Sequence, residues 1–241
     1  TPIIQWLLDQ EGAFDHFSQS MLLRVPALRE APLTAALQDL LDHHHALRLR
    51  LNADDSLEIA PAGSVSAAGC LRRVALHGLD KEARAQELQR ETSAAQSRLA
   101  PGAGQMLQGV WFDDDGESRL LLVIHHLVVD GVSWRILVPD LQAAYNARER
   151  GEASALEPVP TSFREWALAL PAAAAQRRAE IPFWQSMSAG VDPLLTPRPL
   201  DPSRDTVATR RELSLRLETD VTRILLTRAP ERIHGRINDV L

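Results

Sequence analysis

Two apolar stretches, residues 106–112 and 119–125, are separated by the acidic sequence Asp113-Asp114-Asp115-Gly116. Apolar runs broken by a polar, glycine-containing turn read as the two strands of a hairpin. This hairpin constrains the fold most. Its second strand runs directly into a loop marked by Asp130-Gly131 and then into a helical pattern. Sheet and helix therefore meet around His125 and His126, at a strand end where side chains face a cleft rather than a core.

Helical stripes lie on both sides of the hairpin in sequence. Leu33, Ala36, Leu37, Leu40 and Leu41 have the i, i+3, i+4, i+7 spacing of an amphipathic helix that ends near His44 or His45. Asp80 is the expected N-cap of a helix from Lys81 to about Leu99, stopped by Pro101-Gly102. Trp134, Leu137, Val138, Leu141 and Tyr145 form a further stripe, with Ser133 as its candidate N-cap. Pro139 lacks a backbone donor and predicts a kink there or a delayed start. Residues 2–8 read as a short helix or turn and residues 20–25 as a strand. Leu47, Leu49 and Leu51 alternate with Arg48 and Arg50, which predicts a strand with both arginines on one face. Residues 151–160 have linker character, 161–166 open another helix, 193–205 form a proline-rich loop and 211–217 alternate as a strand. The fold class is α+β, with helices packed on a mostly antiparallel or mixed sheet.

A chain of 241 residues, 45% of them hydrophobic, can hold one large domain or two small ones with a real core. A net charge of -6, without basic stripes interleaved with aromatics, argues against a nucleic-acid partner. Cys70 is the only cysteine, so no internal disulfide can form and a reducing, cytoplasmic setting is expected. No apolar run approaches the ~20 residues of a membrane helix. No basic stretch followed by an apolar segment opens the chain. It starts on Thr1-Pro2-Ile3 without a methionine and stops on Asn238-Asp239-Val240-Leu241, and both ends read as excision points.

Adjacent strand residues point to opposite faces, so His125 and His126 cannot share a role. One is expected to be structural and the other available to substrate, near neutral pH an apt acid or base. Asp130 would need a partner if buried. Arg48 is the strongest candidate, and Arg50 on the same face could substitute for it. The run His43-His44-His45 invites a metal, but consecutive helical residues diverge around the axis and no recognised ligand spacing supports one. Trp6, Trp111, Trp166 and Trp184 read as packing residues. Cys70 has no nearby histidine in sequence to activate it as a nucleophile.

The segment His125-His126-Leu127-Val128-Val129-Asp130-Gly131-Val132-Ser133-Trp134 resembles the active-site signature of nonribosomal peptide synthetase epimerization domains. HHxxxDG marks the wider superfamily of condensation domains and chloramphenicol-acetyltransferase-like enzymes, and the added Ser133-Trp134 matches the epimerization version. Thr1-Pro2-Ile3-Ile4-Gln5-Trp6, Asp15-His16-Phe17-Ser18-Gln19-Ser20, His44-His45-Ala46-Leu47-Arg48-Leu49-Arg50 and Pro160-Thr161-Ser162-Phe163-Arg164-Glu165-Trp166 are also similar to family segments, as is the final Asn238-Asp239 stretch.

The resemblance implies an isomerase of antibiotic-type peptide biosynthesis. It would invert Cα of an aminoacyl or peptidyl thioester carried on the 4′-phosphopantetheine arm of an upstream peptidyl carrier domain. It implies His126 as the acid/base group and Asp130 as a structural residue paired with Arg48. His125, Gly131, Ser133 and Trp134 would frame the site, with no cofactor or metal bound by the chain and no membrane partner. Residues 1–160 would form a chloramphenicol-acetyltransferase-like N-terminal lobe, and 161–241 linker helices and the start of a crossover into a second, C-terminal lobe. The family's partner glutamate falls beyond the Asn238-Asp239 stretch, and Ile233 stands where a tyrosine is expected, so the 241 residues alone are expected to be inactive. Two rival readings are a condensation domain, in which the same histidine assists amide formation, and a non-catalytic fragment that docks a carrier protein.

Overall fold

The paired apolar runs form the middle of a four-stranded sheet. In chain order the elements are α1 (Pro2–Leu8), β1 (Ser18–Arg24), α2 (Glu30–His43), β2 (Leu49–Leu51), β3 (Leu57–Ile59), α3 (Ala67–Cys70), β4 (Leu71–Ala75), α4 (Lys81–Ser97), β5 (Leu107–Asp113), β6 (Arg119–His125), α5 (Trp134–Glu149), α6 (Phe163–Gln176), α7 (Ile181–Ser188), α8 (Thr219–Leu226) and α9 (Arg228–Arg232). The computed structural model describes residues 1–10, 12–114, 118–190, 198–199, 201 and 203–240. The chain divides into two compact units, Thr1–Val191 and Asp192–Leu241, with α6 and α7 in the first. The hairpin turn at 115–117 and most of the proline-rich stretch 193–205 lie outside the described residues. Among the described residues no helix is long and apolar enough to cross a membrane.

The sheet order is β1-β6-β5-β4. β6 is antiparallel to β1 and to β5, whereas β4 runs parallel to β5. The sheet is therefore mixed, with helices against it. β2 and β3 form a separate antiparallel pair. β5 and β6 are buried on both faces apart from their turn-side ends, which is why they read as continuous apolar runs instead of alternating ones.

Those two faces carry different helices. Leu107, Trp111, Leu120, Leu122 and Ile124 pack with the α2 stripe and with Trp134, Leu137 and Leu141 of α5. Val110, Phe112, Leu121 and Val123 face the other way, against Ala95 of α4 and Leu99. Leu33, Leu37, Leu40 and Leu41 are all almost completely buried, and each such leucine contributes roughly 1.5–3 kcal/mol before chain entropy is charged against it. Two polar contacts tie α2 to α5. The Arg148 guanidinium grips Asp39 with Nε at 2.6 Å and Nη2 at 2.5 Å, and His44 Nε2 lies 2.8 Å from Asp140 Oδ2. At the N-terminus of α4, the Asp80 carboxylate accepts from the Ala83 amide at 2.9 Å, the cap that its position predicts.

Two expectations change outright and two in part. Residues 47–51 are not one strand: His45–Arg48 is a 3-10 turn, and only Leu49–Leu51 is extended. The cause is the open C-terminal end of α2. Arg48 Nη1 donates to the Leu41 and Asp42 carbonyls that the helix leaves unpaired, and Nε donates to the Ala60 carbonyl at 2.9 Å. Arg48 is thereby buried and Arg50 exposed, so the two do not share a face. Pro139 does not delay α5, which begins at Trp134 and runs through it to Glu149. Ser133 occupies the N-cap position of α5 but makes no capping bond, because its hydroxyl is engaged with Asp130. Residues 211–217 form no strand, and Leu213 and Leu215 are 84% and 83% exposed. An alternating sequence becomes a strand only against a partner edge, which the described residues do not supply there.

Candidate functional site

The sheet pleat separates the paired histidines. His125 ends β6 fully buried. Its Nδ1 accepts from the Leu127 amide at 3.1 Å, so its proton sits on Nε2, which donates to the Phe14 carbonyl at 2.8 Å. Burial lowers the His125 pKa, opposed by the Phe14 carbonyl, and the ring is a neutral strut between β6 and the segment before β1.

His126 begins the turn after β6 and is half-buried. Its backbone amide donates to the Phe17 carbonyl at 2.8 Å, extending the β1–β6 ladder by one bond. Its ring stacks on Phe17 with centroids 4.8 Å apart and planes 16° from parallel. Its Nε2 lies 3.1 Å from Gln19 Nε2, and Gln19 Oε1 accepts from the Trp134 indole N–H at 2.8 Å. Phe17 and Gln19 lie in the family-like segment 15–20, where the sequence alone points to no role for either. The available signal was their position at the start of the strand that pairs with β6.

His126 opens into a cavity of about 520 Å³ whose walls include Ile4, Trp6, Phe17, Phe163 and Trp166, with Asp130 and Ser133 on its polar side. Trp6 and Trp166 are 58% and 51% exposed, so they are cavity walls and not the packing residues expected. Trp184 is likewise exposed, whereas Trp111 is a core residue as expected.

Asp130 is not paired with Arg48. It lies exposed in the loop before α5, where its Oδ1 accepts from the Val132 amide at 3.0 Å, the Ser133 amide at 2.8 Å and the Ser133 hydroxyl at 2.7 Å. An exposed carboxylate with three local donors has no need of a buried cation. The Ser133 hydroxyl, with the backbone amides, holds the Asp130 carboxyl below its ordinary range. Asp130 and Ser133 thus make a closed polar turn that sets the start of α5 and, through it, Trp134. A side chain built at Gly131 would meet open space.

His43, His44 and Asp140 offer ligand-type atoms within 4.8 Å of one another. The expectation that consecutive histidines diverge applies inside a helix, and His43 is the last helical residue, with His44 already extended. Within this group His44 and Asp140 satisfy each other across α2 and α5. Burial lowers the His44 pKa and Asp140 opposes the shift. Cys70 is buried, which pushes its thiol pKa up and leaves it a poor nucleophile.

The same architecture occurs in known proteins. Along its whole length the chain is similar to linear gramicidin synthase subunits C and B of Brevibacillus parabrevis, at 37% and 36% identity, and it spans 3% and 5% of the length of those relatives. Chondramide synthase of Chondromyces crocatus is 31% identical over the full chain, of which it represents 6%. Among solved structures it is similar to the epimerization domain from the third module of tyrocidine synthetase B. That match has a TM-score of 0.82 and 26% identity, and covers 99% of this chain and 55% of the other. A family model described as the condensation domain matches residues 4–241, and the chain belongs to the condensation domain family.

Proposed function

We propose that this chain carries the His126 half of an epimerization site in a nonribosomal peptide synthetase. The site inverts Cα of an aminoacyl or peptidyl group held as a thioester on the phosphopantetheine arm of an upstream peptidyl carrier domain. The observation that carries the reading is His126 at the mouth of an aromatic-walled cavity, linked through Gln19 to Trp134. The likeness to the tyrocidine synthetase epimerization domain supports it.

The chemistry follows from the thioester, which acidifies the adjacent Cα–H. His126 exchanges that proton with Cα at the mouth of a largely apolar cavity. Inversion needs a second proton carrier on the opposite face. Among the side chains lining the cavity only His126 and Asp130 are acid/base types, and the Asp130 carboxyl, held below its ordinary range by Ser133, is a weak base. The family resemblance implies a glutamate as this second group. The chain contributes no cofactor or metal, since the reactive carbon and its activating thioester both arrive on the carrier.

The condensation family model is equally compatible with a second reading, in which His126 assists attack of an acceptor amine on the thioester carbonyl. To separate the two, the parent protein is loaded with an L-aminoacyl thioester, with and without an acceptor aminoacyl carrier, and the released amino acid is resolved on a chiral column. Accumulation of the D-isomer without acceptor supports epimerization. Amide product with retained L-configuration replaces it with condensation.

A further inference from the structure

We propose that Gln19 is a positioning residue, locked in one orientation by Trp134, that holds Nε2 of His126 as a hydrogen-bond acceptor and so places the ring proton on Nδ1. The inference comes from donor arithmetic. An indole N–H can only donate, so the Gln19 atom 2.8 Å from Trp134 Nε1 is the amide oxygen. The other amide atom is then the NH2, and it is this donor that lies 3.1 Å from His126 Nε2. An Nε2 that accepts carries the lone pair.

The lock is directional. A proton on His126 Nε2 would set two N–H donors against each other. Gln19 could relieve this only by turning its amide over, and its NH2 would then face the Trp134 N–H. Phe17 sets the plane of the ring, so the only rotation left is a half-turn that puts Cε1 in place of Nε2 and gives up the Gln19 bond. The charged group nearest in the loop, Asp130, contributes a field at His126, but its Oδ1 is occupied by Val132 and Ser133 and does not replace Gln19. From the preceding residue, His125 faces Phe14 and Leu127 instead. Trp134 thus acts on the acid/base residue without touching substrate, which gives the tryptophan of the HHxxxDGxSW pattern a physical task.

The bearing on catalysis rests on the reading of His126 as the acid/base group, whereas the tautomer itself does not. The test uses the parent protein labelled with 15N only in histidine, with the His126 signals assigned by their loss in His126→Gln. The expected spectrum has a protonated Nδ1 and an unprotonated Nε2. Gln19→Glu offers only an acceptor and moves the proton onto Nε2. Trp134→Phe keeps the ring but frees Gln19 to turn, giving a tautomer mixture. A protonated Nε2 in the wild type, or a tautomer that neither Gln19→Glu nor Trp134→Phe moves, overturns the inference. The expected tautomer in a wild type that shows no Cα exchange supports this inference and overturns the epimerization reading instead.

Discussion

Truncating Asp130 and Arg48, singly and together, distinguishes a local turn from a long-range ion pair. Asp130→Ala removes the acceptor of three hydrogen bonds from Val132 and Ser133. Lost acceptors of this capping type cost about 1 kcal/mol, and the exposure of the turn lets water recover part of that. Arg48→Ala removes a buried guanidinium from the carbonyls of Leu41, Asp42 and Ala60. Hydrogen bonds to charged groups are worth about 1.5–3 kcal/mol each, and the three carbonyls share one group, so a total of about 3 kcal/mol or more is expected. The two residues have no shared partner. Their effects in urea unfolding, followed by tryptophan fluorescence, should therefore add to within about 0.5 kcal/mol in the double variant. A coupling of about 1.5 kcal/mol or more, the value of one charged hydrogen bond, would refute the separate assignments and restore the direct pair.

Acid should weaken the first unit through two histidines. Burial lowers the folded pKa of both His44 and His125, so their stabilising share is full above the unfolded value of about 6.5 and is lost as pH falls through the lowered folded values. Thermal melting between pH 7.5 and 5 should show this decline, with a shallower slope in His44→Gln; an unchanged slope contradicts the assignment. Leu40→Ala, at a fully buried position facing the sheet, should cost about 2.7–5 kcal/mol in urea titration. Gly131→Ala adds a methyl group to open space at an unstrained position. It should shift stability by no more than about 0.5 kcal/mol, and a larger loss would mean that the loop is packed more closely than described.

Much of the scaffold is legible in the residues because it obeys a single period. The leucines at 33, 37, 40 and 41 face one way and are all buried, and the two apolar runs pair in register, Leu107 opposite Ile124. What escapes is set by partners remote in sequence. β4 carries Arg72 and Arg73 in five residues and is a strand only because β5 lies parallel beside it. Arg48 sits in an alternating sequence, yet the open carbonyls of α2 draw it into a turn. At the site, the opposite orientations of His125 and His126 follow from the pleat alone. The bridge through Gln19 does not, because it joins residues 107 and 115 positions apart.

The central claim is most directly tested by deuterium wash-in at Cα of a carrier-bound aminoacyl thioester in the parent protein, with and without His126→Ala. The account predicts exchange and D-isomer accumulation in the wild type, both abolished in a folded His126→Ala variant. Absence of exchange in the folded wild type, or exchange undiminished without His126, would contradict it.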